Sequence, residues 1–406
     1  MKNVVVGLDV GTSKVCALVA EGASQNGEPV PIGYGVSPCR GLRKGVVVNI
    51  DATVEAIRAA ITEAEKSAGV KISSAVVGIA GAHINGFNSH GIVAVKGGEV
   101  SPRDVQRVIE AARAVAIPLD RQVIHILPQH FTVDDQEGVR DPVGMAGVRI
   151  EANIHIVTAA QSYAQNLIKC CERAGIAVSQ LVLEPLASAT AALFPEEREL
   201  GVGLVDIGGG ATGIVVMLEG AVMHTAVLPV GGNHLTSDLA AGLRTPVAEA
   251  ERLKIAYGVA TNLVVKSDEM VRVPGVGGRA PRAIARRLLG EILEPRMEEI
   301  FALVQRELAR SGVGNNLASG LVLTGGSSLL EGAQELAERV FNAPVRRGLP
   351  VNLKGIPEEL MKPMYTTAAG LVLYAYNEPS NSNGLGRYRR WLKIKSRVTE
   401  WVKEFF

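Results

Sequence analysis

The sequence predicts a two-lobed α/β protein whose lobes face one shared site, and three observations support this prediction. Val202 to Gly213 reads as a strand that ends in Asp206, turns through three glycines and returns as a second strand. Val5 to Val15 shows the same order of strand, aspartate, glycine turn and strand about two hundred residues earlier. A chain of 406 residues is also too long for one ordinary hydrophobic core. The repeat therefore indicates two related lobes.

The two glycine turns are suited to binding phosphate. Glycine has no Cβ atom, so backbone N–H groups can close around an oxyanion. Thr12 and Ser13 add hydroxyl groups to the first turn, and Lys14 either reaches a phosphate or lies in solvent. The candidate phosphate-binding residues are Gly11, Thr12, Ser13, Lys14, Gly208, Gly209 and Gly210.

An aspartate precedes each turn. Asp9 and Asp206 end the first strand of their hairpins, directly beside the glycines. Carboxylates at such positions can hold the water ligands of a Mg²⁺ ion, which usually keeps several waters when it binds phosphate in a protein. We therefore predict Asp9 and Asp206 as the residues of a metal site.

The composition is that of an ordinary globular protein, with 47% hydrophobic and 20% charged residues. A formal net charge of +1 gives no overall attraction to nucleic acid, so no nucleic-acid partner is expected. The four cysteines lack metal-ligand spacing, which favours a reducing, cytoplasmic compartment. The sequence shows neither a signal peptide nor an uncharged run long enough to span a bilayer. Any contact with a membrane is therefore expected at its surface.

The first lobe is predicted as alternating strands and helices around the first hairpin. Its predicted elements are a hairpin at 3–20, a strand at 45–50, a helix that Asp51 caps and that runs to about Ser67, strands at 74–80 and 178–183, and helices at 161–174 and 184–193. The last helix is rich in alanine and serine, which allows a second helix to approach closely. Glu184, at the end of a strand, is the candidate catalytic residue that orients a water molecule for hydrolysis. Alternatively, it only begins a helix before Pro185.

Residues 83–158 have a different hydrophobic pattern from the flanking sequence, and this pattern predicts a small α/β insert. Polar and apolar residues alternate in three short runs, and one helix, capped by Ser101 and followed by Pro102, interrupts them. Histidines at positions 83, 90, 125, 130 and 155 raise the alternative of a metal site. None of them has the paired helical spacing of zinc ligands, so we predict no metal in the insert.

The second lobe contains a third glycine turn and several charged candidates. Its predicted elements are the hairpin from 202, a strand at 221–229, a helix from Gly231 with free N–H groups for an anion, a helix capped at Thr245–Pro246, a strand at 261–273, a helix from Ala283 to about Arg310, a strand from Leu321 and a helix at 365–374. Glu251 and Lys254 share one helix face and either form a surface ion pair or flank a base and ribose. Gly325, Gly326 and Ser327 form a turn without the lysine of a Walker A loop, against which an adenine ring can lie.

A polar linker at 376–386 and a basic amphipathic helix at 387–406 are predicted at the C-terminus. Residues 387–406 carry seven basic and two acidic residues, so this segment has a charge of +5 and the remainder −4. A helix of this length, about 30 Å, would lie in the headgroup plane of an anionic membrane. The alternative is a helix packed on its own protein. The predicted membrane-contacting residues are Trp391, Leu392, Ile394, Val398, Trp401, Val402 and Phe405.

These motifs resemble those of a known family. The three glycine turns and the two small-residue helices resemble the phosphate, adenosine and connecting motifs of the superfamily of actin, heat-shock chaperones and sugar kinases. The insert, the segment from Thr236 to Thr245 and the basic tail together resemble the FtsA family of bacterial cell-division proteins. The resemblance covers essentially the whole chain. It implies an actin-like fold in which residues 1–82 and 159–194 form subdomain 1A, 83–158 subdomain 1C, 195–235 and 311–375 subdomain 2A, and 236–310 subdomain 2B.

The resemblance also implies a function. It implies ATP with Mg²⁺ between the lobes, filament formation by self-association, and tethering of the tubulin-like FtsZ ring to the cytoplasmic face of the inner membrane at the division site, where other division proteins are recruited. Glu251, Lys254, Gly325, Gly326 and Ser327 would enclose ribose and adenine. Arg286, Arg287 and Arg296, on the predicted helix from Ala283, are the candidates for binding the acidic C-terminal peptide of FtsZ. The family is thought of as a weak or negligible ATPase, so nucleotide would act as an assembly switch.

Two alternative readings use the same fold. A sugar or acetate kinase would need a second-substrate pocket, of which the sequence gives no sign, and has no evident use for an amphipathic tail. A type IV pilus protein of the PilM kind would dock to an inner-membrane partner without an anchor of its own. The tail therefore favours the FtsA family over both.

Overall fold

The structure of the protein is a computed structural model that describes residues 3–22, 28–266, 269–275 and 280–377. These residues form two α/β lobes, each built on a five-stranded mixed sheet, and a four-stranded sheet that belongs to the insert. The first lobe, the second lobe and the insert each contain a cluster of buried apolar residues. The predicted two-lobed fold with an insert is therefore confirmed. The amphipathic helix predicted at 387–406 and the linker from residue 378 lie outside the described residues.

The first lobe opens with the predicted hairpin. Its first elements are β1 (Asn3–Val10), β2 (Lys14–Gly22), β3 (Val30–Pro38), β4 (Leu42–Arg43), β5 (Val46–Val47), α1 (Ile50–Ala68) and β6 (Ser74–Ile79). β1 pairs with β2 in antiparallel register, which sets Asp9 opposite Cys16, and with β6 in parallel register. Asp9 therefore lies at the end of a central strand, where its side chain is buried.

The segment from 45 to 50 is mostly a turn, so the predicted strand is wrong there. Lys44 and Gly45 have φ angles of 53° and 78°, which bend the chain and leave only Val46–Val47 extended. The predicted cap is also wrong. The Asn49 side chain, not Asp51, accepts a hydrogen bond from the backbone N–H of Ala52 at 3.0 Å. Asp51 lies in the first turn of α1, where its charge suits the helix dipole.

The insert is an antiparallel sheet with one helix packed on it. Its elements are β7 (Asn85–Ala94), α2 (Pro102–Arg113), β8 (Arg121–Val133), β9 (Gln136–Val139) and β10 (Arg149–Ala160), in the sheet order β7-β10-β8-β9. Ser101 caps α2 as predicted, since its hydroxyl accepts from the N–H of Asp104 at 3.3 Å. The Asp104 carboxylate accepts in return from the Ser101 N–H at 3.1 Å, which completes a capping box.

The chain then returns to the first lobe and crosses to the second. The elements here are α3 (Gln161–Arg173), β11 (Ala177–Leu183) and α4 (Glu184–Ala192). β11 pairs in parallel with β6 and completes the first sheet, whose order is β11-β6-β1-β2-β3. The predicted strand and helices of this stretch are therefore confirmed, and Glu184 is the first residue of α4.

The second lobe repeats the arrangement of the first. Its elements are α5 (Pro195–Leu200), β12 (Val202–Ile207), β13 (Thr212–Leu218), β14 (Ala221–Leu228), α6 (Gly232–Leu243), α7 (Val247–Tyr257), β15 (Met270–Val273), β16 (Arg282–Ala285), α8 (Arg287–Arg310), β17 (Leu321–Thr324), α9 (Ala333–Phe341), β18 (Val345–Arg347) and α10 (Thr366–Asn377). The sheet order is β14-β13-β12-β17-β18. Among the described residues, no helix is both long enough and apolar enough to cross a membrane.

Three predicted features of the second lobe are wrong. The predicted strand at 261–273 is extended only in β15, and a short 3-10 helix occupies Asn262–Val264. The helix predicted from Ala283 starts at Arg287, because β16 pairs with β15 and sets Ile284 opposite Val271. Thr245 does not cap α7; its hydroxyl donates to the carbonyl oxygen of Pro274 at 2.8 Å.

The two small-residue helices pack against each other and against both sheets. α4 follows the first sheet in the chain but also contacts β12 and β13, whereas α10, at the end of the second lobe, contacts β1 and β2. Gly370 of α10 lies so close to the carbonyl group of Ala187 in α4 that a Cβ atom would collide with it. Gly213 meets the ring of Pro185 in the same way, within 2.8 Å of an added Cβ atom. Close approach thus requires the small residues that the sequence places there.

The insert also contacts the second lobe directly. The buried ring of His155 in β10 bonds to the hydroxyl of Thr225 in β14 at 2.9 Å. Gln129 of β8 donates to the carbonyl oxygen of Val222 at 2.9 Å. Arg140 forms a two-pronged ion pair with Glu199 of α5, at 3.0 and 2.7 Å. The insert is therefore attached to both lobes, although it is continuous only with the first.

Candidate functional site

Three glycine turns meet where the two lobes face each other: Gly11–Ser13, Gly208–Gly210 and Gly325–Ser327. An added Cβ atom on Gly210 would lie 2.5 Å from the hydroxyl of Thr12, and one on Gly209 would collide with the hydroxyl of Ser13. The third turn joins them through Ser327, whose hydroxyl donates to the carbonyl oxygen of Gly208 at 3.4 Å. The predicted phosphate and adenosine residues are thus brought together at one site.

The first carboxylate of the site is paired with a cation of its own hairpin. The ammonium of Lys14 lies 3.3 Å from the carboxylate of Asp9, and both side chains are largely buried. Burial opposes the charge on Lys14, but the attraction of Asp9, the hydrogen bond to it and the nearby Cys16 and Tyr365 together outweigh burial and raise the pKa of Lys14. The ring of Tyr365 lies beneath the ammonium at 5.2 Å and adds a cation–π contact. Lys14 is therefore neither in solvent nor free to bind a phosphate while it contacts Asp9.

The second carboxylate is held by hydroxyl groups instead. Asp206 accepts from Ser188 of α4 at 2.6 Å and from Thr367 of α10 at 3.2 Å. Burial raises its pKa; the hydrogen bond from Ser188 lowers it again, and repulsion from Asp9 raises it further, so the net direction is upward. Asp206 is therefore the carboxylate of this pair that lacks a contacting cation among the residues that the structure describes.

Glu184 is the third carboxyl group of the site. Burial raises its pKa well above the usual value, and the charges of Asp9 and Asp206 raise it further, while Lys14 acts in the opposite direction. Gly78 lies close to its side chain, since an added Cβ atom there would be 2.9 Å from Cγ of Glu184. Both effects favour the protonated form of the carboxyl, and Glu184 belongs to the same electrostatic cluster as the two aspartates.

The chemistry of these residues fits a magnesium–phosphate group. Three acidic groups repel one another at this point, and a divalent cation would relieve that repulsion. Across residues 3–377, apart from the short undescribed stretches, no set of three or more histidine, cysteine, aspartate or glutamate side chains is arranged to bind a metal directly. Water and phosphate oxygens would therefore supply most ligands of the ion, as Mg²⁺ prefers.

Lys254 and Glu251 form part of a buried polar network at the start of α6. The ammonium of Lys254 donates to the carbonyl oxygen of Gly232 at 3.1 Å, to the hydroxyl of Thr236 at 2.9 Å and to the carboxylate of Glu251 at 2.8 Å. An added Cβ atom on Gly232 would lie 2.5 Å from the hydroxyl of Ser327. The two residues form an ion pair, but not the predicted surface pair, because Lys254 is buried. The pair lies beside the third glycine turn, and its role toward a base and ribose stays a prediction.

The N-terminus of α6 is not free for an anion, so that prediction is wrong. The N–H groups of Gly232 and Asn233 donate to the carbonyl oxygens of Gly208 and Gly209, at 2.9 and 2.7 Å. These bonds fix the second turn against the helix. The backbone of the helix therefore supports the glycine turn instead of offering its own donors to a ligand.

The three candidate arginines lie apart from the glycine turns and differ from one another. Arg286 is largely buried and pairs with Glu269 at 2.7 Å and with Glu331 at 2.5 Å. Arg296 pairs with Asp238 at 2.6 Å and also with Glu299. The Arg287 side chain is 68% exposed, and its ion pair with Glu291 is long, at 4.0 Å. Of the three, Arg287 therefore has the charge that is most available to a partner.

Sequence reasoning missed Ser188, Thr367 and Thr236 as residues of the site. Ser188 and Thr367 also bond to each other at 2.9 Å, so they connect α4 and α10 as well as holding Asp206. A signal for them existed, because each small-residue helix carries a hydroxyl residue at this position. Four of the five histidines of the insert have structural partners; His125, for example, accepts from the N–H of Leu183 at 2.9 Å.

Comparison with known proteins gives consistent relatives along the chain. A family model described as cell division protein FtsA matches residues 203–370, and one described as an SHS2 domain inserted in FTSA matches residues 81–158. The cell division protein FtsA of Pseudomonas aeruginosa is 51% identical over 379 residues, which are 93% of this chain and 91% of the relative. The protein of the same name from Neisseria meningitidis is 44% identical and covers 95% of this chain and 97% of the relative. That from Escherichia coli K12 is 40% identical, over 99% and 96%.

Solved structures with low sequence identity share the fold. A PilM–PilN type IV pilus biogenesis complex has a TM-score of 0.66 and 18% identity, and covers 92% of this chain and 99% of its own. MreB5 of Spiroplasma citri bound to ADP has a TM-score of 0.55 and 15% identity, over 91% and 95%. The same protein bound to AMPPNP has a TM-score of 0.53 and 14% identity, over 98% and 99%. The fold is therefore actin-like.

Proposed function

The chain belongs to the FtsA family of cell division proteins, and we propose that it binds ATP with Mg²⁺ between its lobes and polymerises on the inner membrane. The observation that carries the nucleotide proposal is the convergence of three glycine turns beside Asp9 and Asp206. The description of MreB5 as bound to ADP and AMPPNP supports it by analogy of fold. Membership of the family supports the role in division.

The residues of the site divide into three groups in this proposal. The first two turns contact phosphate oxygens through their N–H and hydroxyl groups, and Asp9 and Asp206 hold the water ligands of the ion. The Glu251–Lys254 pair and the third turn enclose ribose and adenine. A bound Mg²⁺ would supply positive charge that offsets the charge of the phosphates and of the carboxylates. Lys14 would then leave Asp9 and turn toward a phosphate oxygen, because its ammonium and the ion would otherwise compete for the Asp9 carboxylate.

Nucleotide acts in this proposal as a switch for assembly and not as fuel for rapid turnover. Glu184 is the candidate for orienting a water molecule, but burial and the two neighbouring aspartates raise its pKa well above the usual value and so favour the protonated form. A protonated carboxyl group is a poor general base. We therefore propose weak or negligible ATP hydrolysis, as the resemblance to the family implies.

The membrane proposal rests on the composition of the C-terminal segment. Residues 387–406 carry a charge of +5 and both tryptophans of the chain. The segment would lie as an amphipathic helix on anionic lipid at the cytoplasmic face of the inner membrane, and tether the FtsZ ring at the division site, where later division proteins also bind. A kinase or a pilus platform protein would have no use for such an anchor.

Liposome co-sedimentation tests this proposal. The full chain and a 1–386 truncation are mixed with anionic and with neutral vesicles, with and without MgATP, and the pellets are imaged by negative-stain microscopy. We expect binding only for the full chain on anionic vesicles, with filaments that MgATP promotes. Unchanged sedimentation of the truncation would contradict the anchor. A lipid-indifferent monomer that phosphorylates a small acceptor would identify a kinase instead.

Arg287 is the sharper test of the proposed FtsZ-peptide site. Arg286 and Arg296 are engaged in ion pairs, so changing them also disturbs the fold of the second lobe. We expect Arg287→Glu to weaken binding of an acidic FtsZ tail peptide about tenfold, the loss of one well-placed charge contact, and to leave nucleotide affinity unchanged. Arg306→Glu, on an exposed position of the same helix, is the matched control. Equal peptide affinity of Arg287→Glu and wild type by titration would relocate the site.

A further inference from the structure

A small cavity lies beside Glu184, between the first-lobe sheet and the start of the insert. Apolar side chains of the first lobe and backbone at the ends of β1 and β6 form most of its wall. Three side chains with polar groups complete it, namely His83, Tyr163 and Glu184. Its free space is about that needed by one water molecule.

His83 presents two buried polar atoms without a partner. Neither Nδ1 nor Nε2 is exposed to solvent, and neither makes a hydrogen bond within the described part of the chain. Tyr163 packs on the ring with centroids 4.8 Å apart, and Gly81 lies against the edge that carries Nδ1. Burial, followed by the charge of Arg121, lowers the pKa of His83 to about 4. The ring is therefore neutral in neutral solution, with one donor and one acceptor to satisfy.

Such atoms need a partner. A buried donor or acceptor left unpaired costs roughly 1–3 kcal/mol, and buried polar groups in folded proteins are almost always paired, often to ordered water. A cavity with polar groups on its wall holds a water molecule more readily than an apolar one. The cavity beside His83 has the size and the polar lining for this.

We propose that this cavity binds one water molecule that joins a ring nitrogen of His83 to the carboxyl group of Glu184, and that His83 is thereby a positioning residue for Glu184. A backbone group of the wall completes the usual set of about three hydrogen bonds. The proposal rests on the proposed nucleotide function, because the orientation of Glu184 matters only if its carboxyl faces a bound phosphate.

The position of His83 gives this water a structural consequence. The residue lies between β6 and β7, at the start of the insert, and its carbonyl oxygen accepts from the guanidinium of Arg121 in β8 at 2.8 Å. Arg121 also donates to the hydroxyl of Thr158 in β10 at 2.9 Å. The insert thus fixes the His83 backbone, the ring fixes the water, and the water fixes Glu184. A movement of the insert sheet would change the orientation of the carboxyl at the glycine turns.

Crystal structures of the full chain at a resolution that shows ordered water test the site. We compare wild type with His83→Leu, which removes both ring nitrogens and fills the cavity, and with His83→Asn, which keeps a donor and an acceptor. His90→Leu, at a histidine that pairs with Glu151 on the insert surface, is the control. We expect a water within hydrogen-bond distance of both residue 83 and Glu184 in wild type, His83→Asn and His90→Leu only. A wild-type cavity without that water, or a water that contacts one of the two groups alone, overturns the proposal.

A kinetic measurement separates positioning from a general structural role. In single-turnover cleavage of radiolabelled ATP, we expect His83→Leu to slow cleavage about tenfold, in the range seen for loss of a residue that orients a catalytic group. His83→Asn should restore most of the rate, and nucleotide affinity should stay within about twofold in both. Equal slowing by the two variants counts against positioning. Failure of the nucleotide proposal would be seen separately, as absent MgATP binding by wild type. The electron density of the crystal structures shows in either case whether the water is present.

Discussion

The first and second hairpins have the same turn but a different charge balance. In the first, the N–H of Gly11 donates to the carbonyl oxygen of Lys14 at 3.0 Å; in the second, Gly208 donates to Ala211 at 2.9 Å. Lys14 and Ala211 therefore occupy equivalent positions. Lys14 neutralises the aspartate of its own hairpin, whereas Ala211 has no charge to offer Asp206.

This difference shows that the two hairpins repeat the same backbone conformation but do not repeat the same arrangement of charges. Asp9 is paired locally, within a single hairpin. Asp206 depends on hydroxyl groups from two helices that are far apart in sequence, and its pKa is raised chiefly by burial. The second hairpin therefore has the greater need of a cation, and the following predictions test that asymmetry.

The largest expected effect is on magnesium-dependent nucleotide binding. We expect Asp206→Ala to weaken binding of MgATP about 100-fold and Asp9→Ala about tenfold, the range found when groups that support a metal are removed. The first loss is larger because Lys14, released from Asp9 in the second variant, can contact a phosphate. Titration of a fluorescent ATP analogue with and without Mg²⁺ measures both. A larger loss for Asp9→Ala would show that the first hairpin, and not the second, has the greater need of the cation.

The second prediction exchanges the charge between the hairpins. Lys14→Ala leaves the buried Asp9 without its cation, so the nucleotide-free protein should lose about 3 kcal/mol of unfolding free energy, and MgADP should restore part of it. Ala211→Lys places an ammonium at the equivalent position of the second hairpin. We expect it to weaken Mg²⁺ binding without the same loss of stability. Denaturant unfolding with and without MgADP measures both variants. Equal destabilisation by the two would show that charge pairing does not distinguish the hairpins.

The third prediction concerns pH and is the smallest in effect. Asp206 and Glu184 have raised pKa values, so each holds its proton above its usual range in the nucleotide-free protein. The stability that these two groups contribute is present at low pH and is lost as the pH rises through their raised pKa values. Mg²⁺ must displace the protons, so MgATP affinity should rise a few-fold as the pH rises through these raised pKa values.

Calorimetry in buffers of different ionisation enthalpy measures the proton release directly. Glu184→Gln is the matched variant, because it keeps the shape of the protonated side chain and cannot release a proton. We expect it to reduce the pH dependence while binding of nucleotide persists. An affinity that is independent of pH in wild type would show that these carboxyl groups are already ionised before the metal binds.

The features that the sequence predicts correctly are those with a local cause. The glycine turns after Asp9 and Asp206 need positions without a Cβ atom, and the cap of α2 needs Ser101 three residues before an acidic partner. Both requirements are written in neighbouring residues. The predicted strands and helices of the first lobe follow for the same reason, apart from the turn at Lys44 and Gly45, but strand β3 is not among them.

The features that it misses depend on residues distant in sequence. Ile284 fits a helical repeat, yet it forms a strand because Val271 lies opposite it. The hydroxyls of Ser188 and Thr367 meet Asp206 only after α4 and α10 have packed together. The backbone donors of α6 looked free in the sequence because their acceptors, Gly208 and Gly209, belong to a turn more than twenty residues earlier.

The contact between Gly370 and Ala187 also has a mechanical consequence. It joins the two connecting helices only one residue from Ser188 and three from Thr367, both of which bond to Asp206. If one lobe turns relative to the other about this contact, it acts as a fulcrum, and atoms move in proportion to their distance from it. The carboxylate is then close to the axis, and the outer ends of the lobes are at the tips of long lever arms. A small shift at Asp206 would then accompany a much larger displacement of the outer surface of the lobe, where neighbouring molecules can bind.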